Sequence, residues 1–152
     1  MNIPFNTLLK RAVLNDDTGP RLERMTVSTI TTAGAATLTA AQILGGYINR
    51  DPNGSNRTDT LPTAALLVAA IRQQASEIGV QLAGVISFEF VITNTADAAE
   101  TLTIDAGTGG TNASGHTRTI AQNNSKRFSV QITNTTPGSE AYTLRSLGGY
   151  TT

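Results

Sequence analysis

Apolar residues recur along this chain with two different periods. From Met25 to Thr32 (Met-Thr-Val-Ser-Thr-Ile-Thr-Thr) they alternate with hydroxyl residues, and the β-branched content predicts a strand ending at Ala33-Gly34. Thr39 to Leu44 predicts one or two helical turns with Thr39 as N-cap, stopped by Gly45-Gly46. Tyr47 to Arg50 then reads as a short strand, and Asp51 to Pro62 as loop, with Pro52 and Gly54 placed as a β-turn wants them. Between Pro62 and about Glu77 the period becomes helical. Leu67, Ile71, Ala75 and Ile78 recur at i, i+4, i+8 and i+11 with Val68 beside them. Pro62 suits the first turn, and Asp59 or Thr60 stands ready as a cap. The first two turns, Ala64 to Ala70, are apolar nearly all round, which favours burial against a sheet over a partner interface.

After Gly79 the pattern is that of strands. Val85 to Ile92 is long, aromatic and β-branched, and Thr101–Ile104, Thr117–Ala121, Arg127–Ile132 and Ala141–Leu147 follow. Ala106 to Asn112 is a glycine-rich loop between them. Phe88, Phe90 and Ile92-Thr93-Asn94-Thr95 return 40 residues later as Phe128, Val130 and Ile132-Thr133-Asn134-Thr135. The offset persists through Glu100/Glu140, Leu102/Tyr142 and Ile104/Leu144, so each copy reads as strand, short turn, strand. Duplication and shared turn chemistry explain this echo equally well. The expected fold is therefore mainly β: an antiparallel β-sandwich built from similar hairpins, with one covering α-helix at about 62–77.

Residues 1–24 are unlike the rest and are expected to form an N-terminal arm on a single domain, 25–152. Ile3, Phe5, Leu8, Leu9, Val13 and Leu14 are apolar, followed by the breaker Asn15-Asp16-Asp17-Thr18-Gly19-Pro20. So short an apolar stretch cannot build its own core. It must lie on the same domain or reach a neighbouring subunit, and Ile3, Phe5, Leu8, Leu9 and Val13 are the candidate partner-binding residues.

Composition narrows the function. The 152 residues carry 11 basic and 11 acidic side chains, so net charge is zero and only 14% of positions are charged, against a usual ~25%. In their place stand 25 Thr, 11 Asn, 9 Ser and 14 Gly. Such a chain lacks the basic field that non-specific nucleic-acid binding requires. The absence of Cys excludes disulfides and thiolate chemistry, and His116, the single histidine, excludes a multi-histidine metal centre. The N-terminus has no signal-peptide pattern, and the longest near-apolar run, Ala64 to Ile71, is too short to span a bilayer.

Candidate chemistry is thin. His116 with Asp105 and a hydroxyl could begin a triad, but no Gly-x-Ser-x-Gly elbow exists. Gly107-Thr108-Gly109-Gly110 lacks the Lys-Ser/Thr of a phosphate loop. Glu100 and Glu140 read as solvated residues at strand starts rather than a glycosidase pair. Asp51, Asn53, Ser55 and Asp59 offer oxygens, but Arg57 among them would repel a cation, and Gly54 is misplaced for a calcium loop. No catalytic residue, cofactor or metal is expected.

The stretch Leu38-Thr39-Ala40-Ala41-Gln42-Ile43-Leu44-Gly45-Gly46-Tyr47-Ile48-Asn49-Arg50-Asp51-Pro52-Asn53-Gly54, continuing through Arg57-Thr58-Asp59-Thr60-Leu61-Pro62-Thr63-Ala64, resembles small structural proteins of virus particles, of tailed bacteriophages and large double-stranded DNA viruses. The likeness covers 38–82 and extends weakly to 103–110. It implies a virion component, a capsid decoration (cement) or minor capsid protein that binds the major capsid protein as a homo-oligomer, most often a homotrimer. The alternative it leaves open is a tail- or fibre-associated module that binds a receptor or glycan through loops 51–59 and 107–115. Neither reading involves nucleic acid or a membrane.

Overall fold

The computed structural model describes residues 25–77, 79 and 85–151. The arm, with Ile3, Phe5, Leu8, Leu9 and Val13, and the helical position Ile78 lie outside the described residues. Among the described residues, nine strands and two helices follow in the order β1 (Thr26–Ile30), α1 (Ala40–Leu44), β2 (Gly46–Arg50), β3 (Arg57–Thr60), α2 (Ala64–Glu77), β4 (Ile86–Asn94), β5 (Leu102–Asp105), β6 (Gly110–Asn112), β7 (Thr119–Ile120), β8 (Asn124–Asn134) and β9 (Ala141–Thr151). The protein is mainly β, with a six-stranded sheet in the order β1-β2-β4-β8-β9-β6 and a three-stranded sheet β3-β5-β7.

The two sheets face each other through period-two positions. Ile48, Phe90, Ile92, Phe128, Val130, Ile132, Tyr142 and Leu144 from the large sheet meet Leu102, Ile104 and Ile120 from the small one in a single buried cluster. Phe90 and Phe128, opposite each other in register, stack with centroids 5.5 Å apart. The period-3.6 residues of α2 join the same cluster through Ala64, Leu67, Val68 and Ile71. Ala65, Leu66 and Ala69, on the other side of those first turns, are exposed.

Pairing is mixed, which corrects the purely antiparallel expectation. β1, β2 and β4 run parallel, and β4, β8 and β9 run antiparallel. Parallel neighbours need a crossover connection, and each helix sits on one: α1 between β1 and β2, α2 between β2 and β4. A stretch read as loop, 57–60, is a strand because Arg57 to Thr60 pair in parallel with Leu102 to Asp105.

Only one copy of the 40-residue echo is a hairpin. β8 and β9 pair antiparallel through a turn at Asn134–Glu140, whereas β4 stays in the large sheet and β5 crosses to the small one. Both copies begin identically, since the Asn94 and Asn134 side chains accept the backbone N–H two residues on, from Ala96 and Thr136. They then diverge. Gly138 closes the β8–β9 turn at φ +80°, and Ala98 holds the equivalent place in the first copy. An alanine there would be strained by about 1–2 kcal/mol, so the first copy lacks the residue that eases this reversal.

Local capping follows the sequence closely at α1. Thr39 and Gln42 form a capping box, Gln42 Oε1 accepting the Thr39 N–H at 2.7 Å and Thr39 Oγ1 accepting the Gln42 N–H at 3.2 Å. At α2 the cap is Thr63, directly before the first helical residue, whose hydroxyl accepts the Leu66 N–H at 3.3 Å; Asp59 and Thr60, the expected caps, lie in β3 instead.

Asp59 lies in the buried polar centre of the fold. Arg50 Nε donates to Asp59 Oδ2 at 2.6 Å with both side chains essentially inaccessible. The guanidinium also donates to the carbonyls of Thr32, Gly34 and Asp51, and Asp59 Oδ1 accepts the Ala36 N–H at 2.7 Å. One ion pair thus ties the end of β2 to β3 and orders the connection after β1. At the opposite flank, Lys126 Nζ donates to the Thr117 and Thr119 carbonyls, fastening β7 to β8, and burial lowers its pKa from 10.5.

Candidate functional site

Where α1 and α2 begin, the surface opens into a groove of about 740 Å³. Leu38, Leu61 and Pro62 form its buried floor, and Leu66, 62% exposed, stands at its rim. Thr37, Thr39, Thr60, Thr63 and Thr108 also line it, and no lining residue is charged.

Backbone pairing fixes the groove rather than leaving it to mobile loops. The Leu38 N–H donates to the Thr60 carbonyl at 2.8 Å, Leu61 to Asp105 at 2.9 Å and Ala64 to Thr108 at 2.8 Å. Tyr142 locks the far wall from beneath. Its hydroxyl accepts the Gly107 N–H at 2.7 Å and donates to the Pro62 carbonyl at 3.1 Å, from a ring that is 1% exposed.

Burial raises the Tyr142 pKa above 10.0, opposed by the Gly107 hydrogen bond. Tyr142→Phe leaves the Gly107 N–H and Pro62 carbonyl without this partner and is expected to cost about 1–3 kcal/mol in urea unfolding at neutral pH. A raised folded-state value means that the phenol's contribution is complete below 10.0 and declines as pH climbs through the folded value. The wild type should accordingly lose part of its advantage over Tyr142→Phe in that alkaline window. A gap that widens there would contradict the assignment.

The remaining sequence candidates do not converge. His116 Nδ1 lies 2.8 Å from the Ser146 carbonyl on β9, while Asp105 is held by Arg118 at 2.9 Å and Asn112 at 3.2 Å. Neither is turned toward the other as a triad requires. Glu100 is buried, 7% exposed, which corrects its reading as a solvated residue; its Oε2 has no hydrogen-bond partner among the described residues. Glu140 Oε2 accepts the Gly138 N–H within its own turn. In the calcium-like loop, Asp51 accepts the Asn53 N–H at 2.9 Å, with Asn53 and Gly54 at positive φ, and Asp59 belongs to Arg50.

Loops 51–59 and 107–115 lie at opposite ends of the small sheet, since the first enters β3 and the second leaves β5, which runs parallel to it. Part of each is strand: 57–60 is β3 and 110–112 is β6.

The outer face of the large sheet is mostly uncharged. Tyr47, Thr93 and Ser125 form a hydroxyl chain across β2, β4 and β8 with oxygen separations of 2.8 and 2.7 Å. Glu89 pairs there with Arg127 at 3.5 Å, and Arg145 donates to Gln131. At the β1 edge, Met25 and Val27 are exposed.

Sequence reasoning missed the groove because its walls come from three separate segments. The lining residues lie in 37–41, 60–66 and 106–108, none of which carries a motif that marks it as a wall. Among the described residues no cluster of three or more metal-ligating side chains exists, and no helix is long and apolar enough to cross a membrane. No family model, curated protein or solved structure matches this chain.

Proposed function

We propose that this protein is a structural subunit of a virus particle, a capsid decoration or cement protein that binds the major capsid protein lattice as a homo-oligomer, most simply a trimer. One observation carries the reading: residues 37–41, 60–63, 66 and 106–108 enclose an uncharged groove, not a set of titratable groups. The handling of charge supports it. Arg50–Asp59, Arg118–Asp105 and Arg127–Glu89 pair within the chain, and the net charge is zero. Copies with so weak a field can crowd on one shell without mutual repulsion.

Function on this reading is binding, with no chemical step. Closed symmetry repeats each contact, so modest interfaces sum to tight attachment where capsomers meet. The apolar N-terminal residues Ile3, Phe5, Leu8, Leu9 and Val13 supply the anchoring contacts.

The test uses antibody against the purified chain and intact particles from its source. Gold label spread over the shell is expected; label confined to tails would transfer the protein to the receptor-binding reading, and unlabelled particles would overturn both. Removal of residues 1–14 is expected to leave the strand signal in circular dichroism unchanged and to abolish co-sedimentation with particles. Undiminished co-sedimentation would overturn the anchoring role of the arm.

A further inference from the structure

We infer that Asn53 is a site of spontaneous isoaspartate formation, and that the conversion loosens the turn that closes over the buried Arg50–Asp59 pair. The inference stands apart from the particle and from any oligomer.

Sequence selects the residue first. Asn53 is the one asparagine of 11 that precedes a glycine. Isoaspartate arises when the backbone nitrogen of the following residue attacks the asparagine's side-chain carbonyl carbon. A glycine, with no Cβ, leaves that nitrogen least shielded.

The structure then leaves the reacting groups open. Asn53 and Gly54 are both exposed, at φ +52° and +93°, and nothing lies within 4 Å of where a Gly54 Cβ would stand. The Gly54 N–H has no hydrogen-bond partner among the described residues. The Asn53 amide is held by a single exposed bond, its Nδ2 donating to the Thr31 carbonyl at 3.1 Å. Competing asparagines are better held. Asn124, followed by the small Ser125, lies in the β8 ladder opposite Thr151. Asn94 and Asn134 accept the backbone N–H two residues on, and each precedes a β-branched threonine.

The step needs only water. The Gly54 nitrogen loses its proton to solvent and bonds to Asn53 Cγ, while the bond from Cγ to Nδ2 breaks and ammonia leaves. Water opens the resulting succinimide at either carbonyl. Opening at the former main-chain carbonyl gives isoaspartate, whose backbone runs through Cγ and is longer by one methylene; opening at Cγ gives aspartate.

The consequence follows from what the turn touches. The product has no amide N–H to offer the Thr31 carbonyl, and the neutral chain gains one negative charge. Thr31 adjoins Thr32, whose carbonyl accepts from the Arg50 guanidinium together with that of Asp51, two residues before Asn53. A lengthened turn therefore pulls on both sides of the buried pair.

The test ages the folded full-length chain in warm, mildly alkaline heavy-oxygen water. Trypsin then releases residues 51–57, bounded by Arg50 and Arg57. Asn53 in this peptide should gain the mass of one exchange of NH₂ for labelled OH, and the peptide should accept methyl groups from a protein isoaspartyl methyltransferase. Gly54→Ala, whose methyl shields the nitrogen, should lose most of that signal. A folded chain that stays unlabelled refutes the site, and if the urea-unfolded chain reacts meanwhile, the turn is what protects Asn53. Equal labelling at Asn124 would remove its selectivity. Hydrogen exchange reads the second half of the inference: the Asp51 and Ala36 N–H groups, bonded to the Ile30 carbonyl and to Asp59, should exchange faster in aged than in fresh protein. Unchanged exchange in a fully converted sample would overturn the loosening.

Discussion

Arg50→Met is expected to lower the free energy of unfolding by about 3–5 kcal/mol, the largest single-residue loss we anticipate. The cost arises from what stays behind. Asp59 is 0% exposed, and without the guanidinium its carboxylate keeps only the Ala36 N–H, while the Thr32, Gly34 and Asp51 carbonyls lose a donor. Urea unfolding followed by far-UV circular dichroism measures this directly in a chain without tryptophan. Asp59→Leu should cost a similar amount. The double variant, Arg50→Met with Asp59→Leu, should lose clearly less than the two singles together, because no unpaired charge then remains inside. Strict additivity would mean that the pair is not coupled as its 2.6 Å contact implies.

Gly107→Ala should come next, at about 3 kcal/mol, the upper part of the range for inserting one carbon where there is no room. A Cβ on Gly107 would overlap the Leu61 carbonyl oxygen and come within 2.8 Å of the Pro62 carbonyl oxygen. Both are backbone atoms in the groove floor and cannot rotate away. On a chain of this size the loss corresponds to roughly 6–12 °C in Tm. Gly54→Ala provides the contrast. Its Cβ would meet nothing within 4 Å, and only the backbone angle, φ +93°, opposes it. It should cost roughly 1–2 kcal/mol and leave the groove intact. If Gly54→Ala proved the more damaging, space at Gly107 would not be what holds the groove wall.

Much of the local structure is legible in the sequence. The N-cap at Thr39, the helix carrying Leu67, Val68 and Ile71, and the alternation in β4 and β8 all follow from side-chain type and spacing. Pairing was less legible. The echo points to two hairpins because its apolar positions match, yet the turn segments between the strands differ, Asp97-Ala98-Ala99 against Pro137-Gly138-Ser139 with Gly138 at positive φ. The parallel strands had a signal as well, a strand–helix–strand–helix order in the first half, which periodicity within each element does not weigh. Asp59 looked like a cap or a cation ligand because its partner is nine residues away on another strand.

The groove was not legible at all as a place. Threonines 37, 39, 60, 63 and 108 are ordinary members of a threonine-rich chain until β3 and β5 pair and Tyr142 draws the 106–108 turn against Pro62.

What the sequence determined by itself was local: which segments extend, which coil, where the turns can reverse, and that little net field surrounds the molecule. These depend on residues near one another in the chain, so spacing and side-chain type suffice. Only the tertiary structure decided which strands run parallel, that Arg50 and Asp59 meet without water, and that three distant segments enclose one uncharged groove. Those outcomes depend on burying one face of every element at once, a condition that no single segment can express.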